Sequence, residues 1–160
     1  MTIKPGDRIP SVTLKLKTDD GVQDVATDDF FKGKKIVLFA LPGAYTPTCS
    51  ARHLPGFVDK IEQFREKGVD TVACISVNDA FVMGAWGRDQ KTEGKVVMLA
   101  DGNAEFARAA GLEFDASGFG MGTRSQRYAL IAEDGVVKVL HVEKPGAFEV
   151  SSAEAVLAAL

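Results

Sequence analysis

The segment that most constrains the fold is the apolar run Lys35-Ile36-Val37-Leu38-Phe39-Ala40-Leu41, which stops abruptly at Pro42-Gly43. After its first residue this run offers no polar side chain to either face. Such a run favours a strand buried on both faces, as in sheets that helices cover on both sides. Further strands are predicted at residues 69–77, 95–100 and 128–132, with helical segments between them. Strands that alternate with helices are typical of an α/β layer fold.

Two hairpins make the predicted sheet mixed. Apolar and polar residues alternate over residues 12–17, and the turn Asp19-Asp20-Gly21 makes this strand the first arm of an N-terminal β-hairpin. A second hairpin is predicted to turn at Glu133-Asp134-Gly135. The 160 residues contain no repeat and no linker, so we predict a single domain over residues 1–160.

The composition excludes several classes of protein. Apolar residues make up 46% and charged residues 26% of the chain, which is an ordinary balance for a globular protein. The net charge of −3 provides no basic domain of the kind that nucleic-acid binding requires. No stretch approaches the roughly 18 consecutive apolar residues of a membrane span, and no N-terminal apolar run predicts a secretory signal. We therefore expect a cytoplasmic protein without nucleic-acid or membrane partners.

The two cysteines, Cys49 and Cys74, are too few to staple a fold with disulfides. Cys49 follows the loop that leaves the apolar strand and stands where the next helix begins. Unpaired backbone N–H groups and the helix dipole favour a thiolate there, and the thiolate is the reactive form of cysteine. Thr46 lies one helical turn earlier, where its hydroxyl is either a plain helix cap or a donor to sulfur or a bound oxygen. A buried, inert Cys49 is the alternative.

Four segments, in this order along the chain, resemble one family. Pro42-Gly43-Ala44-Tyr45-Thr46-Pro47-Thr48-Cys49-Ser50 contains a P-x-x-x-T-x-x-C pattern, and His53-Leu54-Pro55-Gly56-Phe57 follows it. Ser76-Val77-Asn78-Asp79-Ala80-Phe81 with Trp86, and then Arg124-Ser125-Gln126-Arg127-Tyr128, complete the set. Over essentially the whole chain, the sequence resembles the peroxiredoxins, which are thiol peroxidases with a thioredoxin-like fold. Within them it resembles the peroxiredoxin-5 subfamily, also termed type II or atypical.

The resemblance implies catalytic roles for four residues. Cys49 matches the cysteine whose thiolate attacks the peroxide, Thr46 matches the threonine that holds the peroxide, and Pro42 matches the proline that shields the sulfur. Arg124 matches the arginine that stabilises the thiolate and polarises the peroxide, whereas Arg127 of the same short motif is not assigned this role. A guanidinium suits the task because it binds developing negative charge without titrating. For Arg124 the alternative is a surface charge that precedes a strand.

The expected activity is the reduction of hydrogen peroxide and organic hydroperoxides by an antioxidant enzyme that needs no cofactor. Peroxide attack converts Cys49 to a sulfenic acid, which a thiol must then reduce. The neighbours of Cys74 predict a buried strand, so this residue is either a structural or a resolving thiol, and we favour the structural role. Resemblance to plant and bacterial type II enzymes implies glutathione and glutaredoxin, or thioredoxin, as external reductants.

Three alternatives concern Cys49. A thioredoxin-like disulfide oxidoreductase usually carries C-x-x-C, but Thr46 stands where its first cysteine would be. A peroxide sensor that relays oxidation to a partner protein would use Cys49 as well, and it would differ in lacking turnover. A zinc site would need four ligands. His53 follows Cys49 at helical spacing, but Cys74 and His141 stand at no recognisable ligand spacing, so no metal is expected.

Four further side chains carry weaker predictions. His53 and Phe119, the latter in the glycine-rich stretch 118–122, are placed at the periphery of the active site. Phe81 and Trp86 are candidates for an exposed aromatic cluster at an oligomer interface, and burial in the core is the alternative. The family resemblance implies a homodimer that forms near the active-site loops.

Overall fold

The computed structural model describes all residues from 1 to 160. Seven strands form one mixed sheet in the order β2-β1-β5-β4-β3-β8-β9. These strands are β1 (Thr13–Thr18), β2 (Gly21–Ala26), β3 (Lys35–Ala40), β4 (Thr71–Ser76), β5 (Val96–Ala100), β8 (Tyr128–Glu133) and β9 (Val136–Val142). The three central strands β3, β4 and β5 run parallel, and the remaining pairs are antiparallel. The predicted mixed sheet and the N-terminal hairpin, formed by β1 and β2, are confirmed.

Six short helices and a small second sheet complete the fold. The second sheet pairs β6 (Glu113–Asp115) with β7 (Thr123–Ser125) in antiparallel fashion. The helices are α1 (Thr27–Phe31), α2 (Leu54–Asp59), α3 (Ile61–Glu66), α4 (Ala80–Asp89), α5 (Glu105–Ala110) and α6 (Ala153–Ala158). None of these helices has the length and the apolar composition needed to span a membrane.

The apolar strand β3 divides its side chains between two cores. Val37 and Phe39 face a core that α2, α3, α4 and α6 cover, and this core also contains both cysteines. Ile36 and Leu38 face the opposite core, which α1 and α5 cover. Every residue from Ile36 to Ala40 is buried because helices pack on both faces of the sheet. The α/β fold predicted from this run is therefore confirmed.

The helical segment after Cys49 is divided at Lys60, although a proline within a helical segment commonly kinks or ends it. Phe57, Ile61 and Phe64 are all buried in the first core, as their spacing predicts. Pro55 lies in the first turn of α2, where a missing N–H is tolerated, and it does not divide the helix. The break falls at Lys60, whose φ of −106° and ψ of 14° separate α2 from α3.

Candidate active site

The loop after β3 brings the chain to Cys49 through a close approach at Gly43. A Cβ atom on Gly43 would lie 3.1 Å from Nη1 of Arg124 and 3.3 Å from Cγ2 of Thr46, so this position favours a residue without a side chain. A helix then begins, and Cys49 opens a π-helical turn, Cys49–His53, in which the N–H of Leu54 donates to the carbonyl of Cys49. Such turns occur frequently at functional sites.

The sulfur of Cys49 is paired with the guanidinium of Arg127. Nη2 of Arg127 donates to Sγ of Cys49 at 3.1 Å, and the cysteine is fully buried in the first core. A guanidinium is always charged and can only donate hydrogen bonds, so it stabilises a thiolate at this position. The predicted combination of Cys49 with a fixed positive charge is therefore present, although the charge comes from a different residue of the motif.

Arg124, to which the family resemblance assigns this role, binds other groups. Its Nε donates to the carbonyl of Met121 and its Nη1 to the carbonyl of Val77, each at 3.0 Å. Arg124 thus links the chain at Met121 to the chain at Val77, and it makes no hydrogen bond to the sulfur of Cys49. The structure corrects the expected pairing, because the guanidinium at Cys49 belongs to Arg127.

The alternation of side chains along β8 contains the signal that the motif comparison missed. Ala129 and Ile131 face the core that holds Cys49, whereas Tyr128 and Leu130 face the opposite core. Successive side chains of a strand point to opposite faces, so a residue two positions before Ala129 shares its face. Arg127 occupies that position and therefore reaches the side of the sheet where Cys49 lies.

His53 accepts a hydrogen bond from the second terminal nitrogen of the Arg127 guanidinium. Nη1 of Arg127 donates to Nδ1 of His53 at 2.8 Å, and Nε2 of His53 donates to the carbonyl of Ser151 at 3.0 Å. Because arginine can only donate, Nδ1 carries no proton and the imidazole is neutral. Burial, followed by the charge of Arg127, lowers the pKa of His53 to about 3. His53 is fully buried, so it lies beneath the site rather than at its mouth.

The carbonyl that orients His53 belongs to a segment that Glu143 fixes. Oε2 of Glu143 accepts from the backbone N–H groups of Glu149, Val150 and Ser151 at 2.8–2.9 Å, and from the hydroxyl of Ser151 at 2.7 Å. Burial raises the pKa of Glu143, but the hydrogen bonds from Ser151, Glu149 and Val150 outweigh it and leave this pKa below its ordinary value. No motif in the sequence indicates a role for this carboxylate.

The remaining predicted site residues differ in their exposure and in their hydrogen bonds. Thr46 donates its hydroxyl hydrogen to the carbonyl of Gly43 at 2.7 Å, which leaves its oxygen lone pairs as acceptors. Pro42 is half-buried and, together with Arg127, lines a cavity beside the site. Phe119 ends a 3₁₀ turn and is 77% exposed. No group of three or more His, Cys, Asp and Glu side chains is arranged to hold a metal ion.

Cys74 lies in β4 and belongs to the same buried core as Cys49. Burial and the nearby charge of Cys49 raise the pKa of the Cys74 thiol well above its usual value, although Arg127 opposes this shift. Both cysteines are free thiols. A fully buried thiol with a raised pKa is a poor nucleophile, which fits the structural role that we favoured.

The aromatic pair on α4 divides between the core and the surface. Trp86 is fully buried, and its Nε1 donates to Oγ of Ser50 at 3.0 Å, immediately after Cys49. Phe81 is 66% exposed near the start of the helix. Trp86 therefore anchors the π-helical turn, and only Phe81 remains available for an interface.

Comparison with known proteins identifies the family. The Redoxin family model matches residues 4–157. The chain is 51% identical to the chloroplastic Peroxiredoxin-2E-2 of Oryza sativa subsp. japonica over 164 residues, which cover 99% of this chain and 73% of the relative. The protein belongs to the peroxiredoxins. This peroxiredoxin is accordingly a thiol peroxidase, as the motifs predicted.

Solved structures agree with this peroxiredoxin over nearly its whole length. The crystal structure of reduced Prx3 from Vibrio vulnificus in complex with H₂O₂ is 52% identical, has a TM-score of 0.96 and is matched over 99% of both chains. Peroxiredoxin 5 from Alvinella pompejana is 36% identical with a TM-score of 0.87, over 98% of this chain and 96% of that structure. The predicted thioredoxin-like fold and the peroxiredoxin-5 subfamily are therefore confirmed.

Proposed function

We propose that Cys49 is the peroxidatic residue of this enzyme and that Arg127, rather than Arg124, activates it. The observation that carries the proposal is the 3.1 Å hydrogen bond from Nη2 of Arg127 to Sγ of Cys49. The guanidinium can stabilise the thiolate before reaction and the leaving oxygen during it. Thr46 and Pro42 flank the sulfur along the same loop, which fits the holding and shielding roles expected for them.

The first half of the cycle oxidises the enzyme. The Cys49 thiolate attacks one peroxide oxygen, so that an S–O bond forms while the O–O bond breaks. The sulfur becomes a sulfenic acid, and the leaving oxygen takes up a solvent proton and departs as water or an alcohol. Arg127 donates to the negative charge on that oxygen, and the free lone pairs of Thr46 accept from the peroxide O–H.

The second half of the cycle uses an external thiol. The glutathione thiolate attacks the sulfur of Cys49, the S–S bond forms, and the hydroxide that leaves becomes water. A glutaredoxin thiolate then attacks the glutathione sulfur, which releases Cys49 as a thiolate. The burial of Cys74 supports an external thiol, because burial raises the pKa of its thiol and leaves little of the reactive thiolate to attack the sulfur of Cys49. Thioredoxin is the alternative reductant.

A coupled assay tests this cycle. Hydrogen peroxide and an alkyl hydroperoxide are offered separately, and NADPH oxidation is followed with glutathione, glutathione reductase and glutaredoxin, or with the thioredoxin system. We expect turnover with the first system, none in Cys49→Ser, and full turnover in Cys74→Ser. Mass spectrometry of Cys74→Ser should show glutathione on Cys49. If Cys74→Ser oxidises rapidly but does not turn over, Cys74 resolves the sulfenic acid. One equivalent of oxidation without turnover in any system would instead favour a peroxide sensor.

We also propose that the enzyme forms a homodimer, on the evidence of its exposed aromatic residues, and that it resides in the cytoplasm, on the evidence of its free thiols. Three aromatic side chains are exposed, namely Tyr45 in the active-site loop, Phe81 on α4 and Phe119 in the 3₁₀ turn. Exposed aromatic residues of this kind support a protein interface. Two free thiols suit a reducing compartment. Light scattering of wild type and Phe81→Glu gives the mass in solution, and a monomeric wild type at all concentrations would contradict the dimer.

A further inference from the structure

A cavity of about 490 Å³ opens beside the reactive sulfur and is not explained by a small peroxide. Pro42 and Thr48 form its floor together with Arg127, whose guanidinium touches Sγ of Cys49. Its volume lies within the range of about 300–1,000 Å³ that small-molecule sites occupy. Hydrogen peroxide would fill only a small part of it, so the cavity has room for a larger molecule next to the reacting atom.

One wall of the cavity carries positive charges that lack a carboxylate partner. The guanidinium of Arg52 lies 4.7 Å above the ring of Phe148, and that of Arg127 lies 5.8 Å from the same ring. Lys144 lies on the adjoining loop and also lines the cavity. None of the ion pairs in the protein involves these three cations. Arg127 is held by Cys49 and His53, whereas the exposed side chains of Arg52 and Lys144 are available to bind anionic groups of a ligand.

The small sheet of β6 and β7 contributes negative charge to the cavity. Glu113 and Asp115 of β6 line the same cavity, and neither forms an ion pair within the chain. Hydrogen bonds from the side chain and backbone of Ser117 lower the pKa of Asp115, so its carboxylate stays ionised at neutral pH. The cavity thus presents cations and anions on separate elements, an arrangement that suits a ligand with both kinds of charge.

We propose that this cavity binds the reductant of the oxidised enzyme, glutathione, a tripeptide thiol with two carboxylates and one ammonium group. Arg52 and Lys144 receive the carboxylates, Glu113 and Asp115 receive the ammonium group, and the thiol points past Thr48 towards Cys49. This inference rests on the proposed glutathione cycle and deepens it, because it assigns the residues that select the thiol. The reaction at the sulfur is the mixed-disulfide step described above.

Transient kinetics separates thiol selection from peroxide reduction. Trp86, the only tryptophan, contacts Ser50 beside the reactive residue and provides an intrinsic fluorescence signal. The enzyme is first oxidised with one equivalent of peroxide and then mixed with glutathione, with cysteamine, which lacks carboxylates, or with neutral dithiothreitol. The variants are Arg52→Gln, Lys144→Gln and their combination. Lys32 follows α1, which covers the opposite face of the sheet, and it is exposed as Arg52 and Lys144 are, so Lys32→Gln serves as the matched control.

We expect each single substitution to slow reduction by glutathione roughly 3- to 5-fold, and the double substitution about 10-fold, as for partly exposed charge pairs. The rate constants of these variants with dithiothreitol, cysteamine and hydrogen peroxide should stay within about 2-fold of the wild-type values, since none of these reagents carries a carboxylate. Lys32→Gln should behave as wild type throughout. Replacing Glu113 by Gln and Asp115 by Asn should slow reduction of the oxidised enzyme by cysteamine and by glutathione, but not by dithiothreitol.

The outcomes that overturn the inference differ from those that overturn the cycle. If wild type reacts with glutathione and the double variant reacts equally fast, the cavity is not the thiol site, although the cycle stands. If the double variant is reduced more slowly by all three thiols, Arg52 and Lys144 act only on the local structure and the inference fails. If oxidised wild type does not react with glutathione at all, the proposed cycle fails, and the inference fails with it.

Discussion

Exchanging each of the two nearby arginines for lysine provides a sharp test of the active-site assignment. In Arg127→Lys the positive charge remains, but a single ammonium group replaces a planar fork that donates to two partners at once. In the structure these partners are Sγ of Cys49 at 3.1 Å and Nδ1 of His53 at 2.8 Å. A lysine at this position can serve one of them and leaves the other without its donor.

The magnitude follows from the hydrogen bond that is lost. A hydrogen bond to a charged group contributes about 1.5–3 kcal/mol, which corresponds to roughly 10- to 150-fold in rate if it acts in the transition state. We therefore expect Arg127→Lys to slow oxidation of Cys49 by that factor. Arg124 binds only two backbone carbonyls, so Arg124→Lys should change this rate less than about 3-fold, while losing about 1 kcal/mol of unfolding free energy.

The assay is stopped-flow fluorescence of Trp86 at several hydrogen peroxide concentrations, and the slope gives the second-order rate constant. Urea unfolding of both variants separates a local effect on rate from a loss of folded protein. The reasoning would be refuted if Arg124→Lys slowed the reaction more than Arg127→Lys. Equal and near-wild-type rates in both variants would show that neither guanidinium activates the sulfur.

Three further predictions concern the surroundings of this pair. His53→Leu removes the acceptor that holds Arg127 and should slow peroxide oxidation about 10-fold, whereas His53→Asn retains a carbonyl acceptor and should recover part of the rate and its pH profile. Folding lowers the pKa of Glu143, so its ionised carboxylate stabilises the fold above the ordinary carboxyl pKa, and this stabilisation is lost as the pH falls through the pKa of the folded state. The unfolding free energy of Glu143→Gln, measured in urea across this acid range, should therefore depend less on pH than that of wild type. Gly43→Ala should lower the unfolding free energy by about 1–3 kcal/mol in urea, because the new methyl group crowds Arg124; an unchanged stability would show that the loop adapts without cost.

The fold could be predicted largely from the hydrophobic pattern. The run from Ile36 to Ala40 is buried on both faces, and the turns at Asp19-Asp20-Gly21 and Glu133-Asp134-Gly135 close the two hairpins. These features depend on local periodicity and turn chemistry, which a single sequence displays. Asp79 likewise caps α4 through the N–H of Val82, as an aspartate before an apolar helix predicts.

The arrangement of the site could be predicted only in part. The motif groups Cys49, Thr46 and Pro42, because these residues lie within one short stretch of the chain. It assigned the activating role to Arg124 instead of Arg127, because a linear motif does not show that Arg124 lies in the small sheet while Arg127 directly precedes β8 of the main sheet. The contact between His53 and the carbonyl of Ser151 joins residues almost a hundred positions apart, which no local pattern reveals.

The neutral state of His53 has a consequence for the charge of the oxidised enzyme. With a thiolate at Cys49, the positive charge of Arg127 is balanced, because the imidazole between the guanidinium and Ser151 contributes none. In the proposed cycle, conversion of the thiolate to a neutral sulfenic acid leaves one uncompensated positive charge in a partly buried position. The oxidised form in that cycle therefore attracts anions more strongly than the reduced form does. A thiolate reductant would then be attracted when there is a sulfenic acid to reduce, and the attraction would weaken once the thiolate of Cys49 is restored.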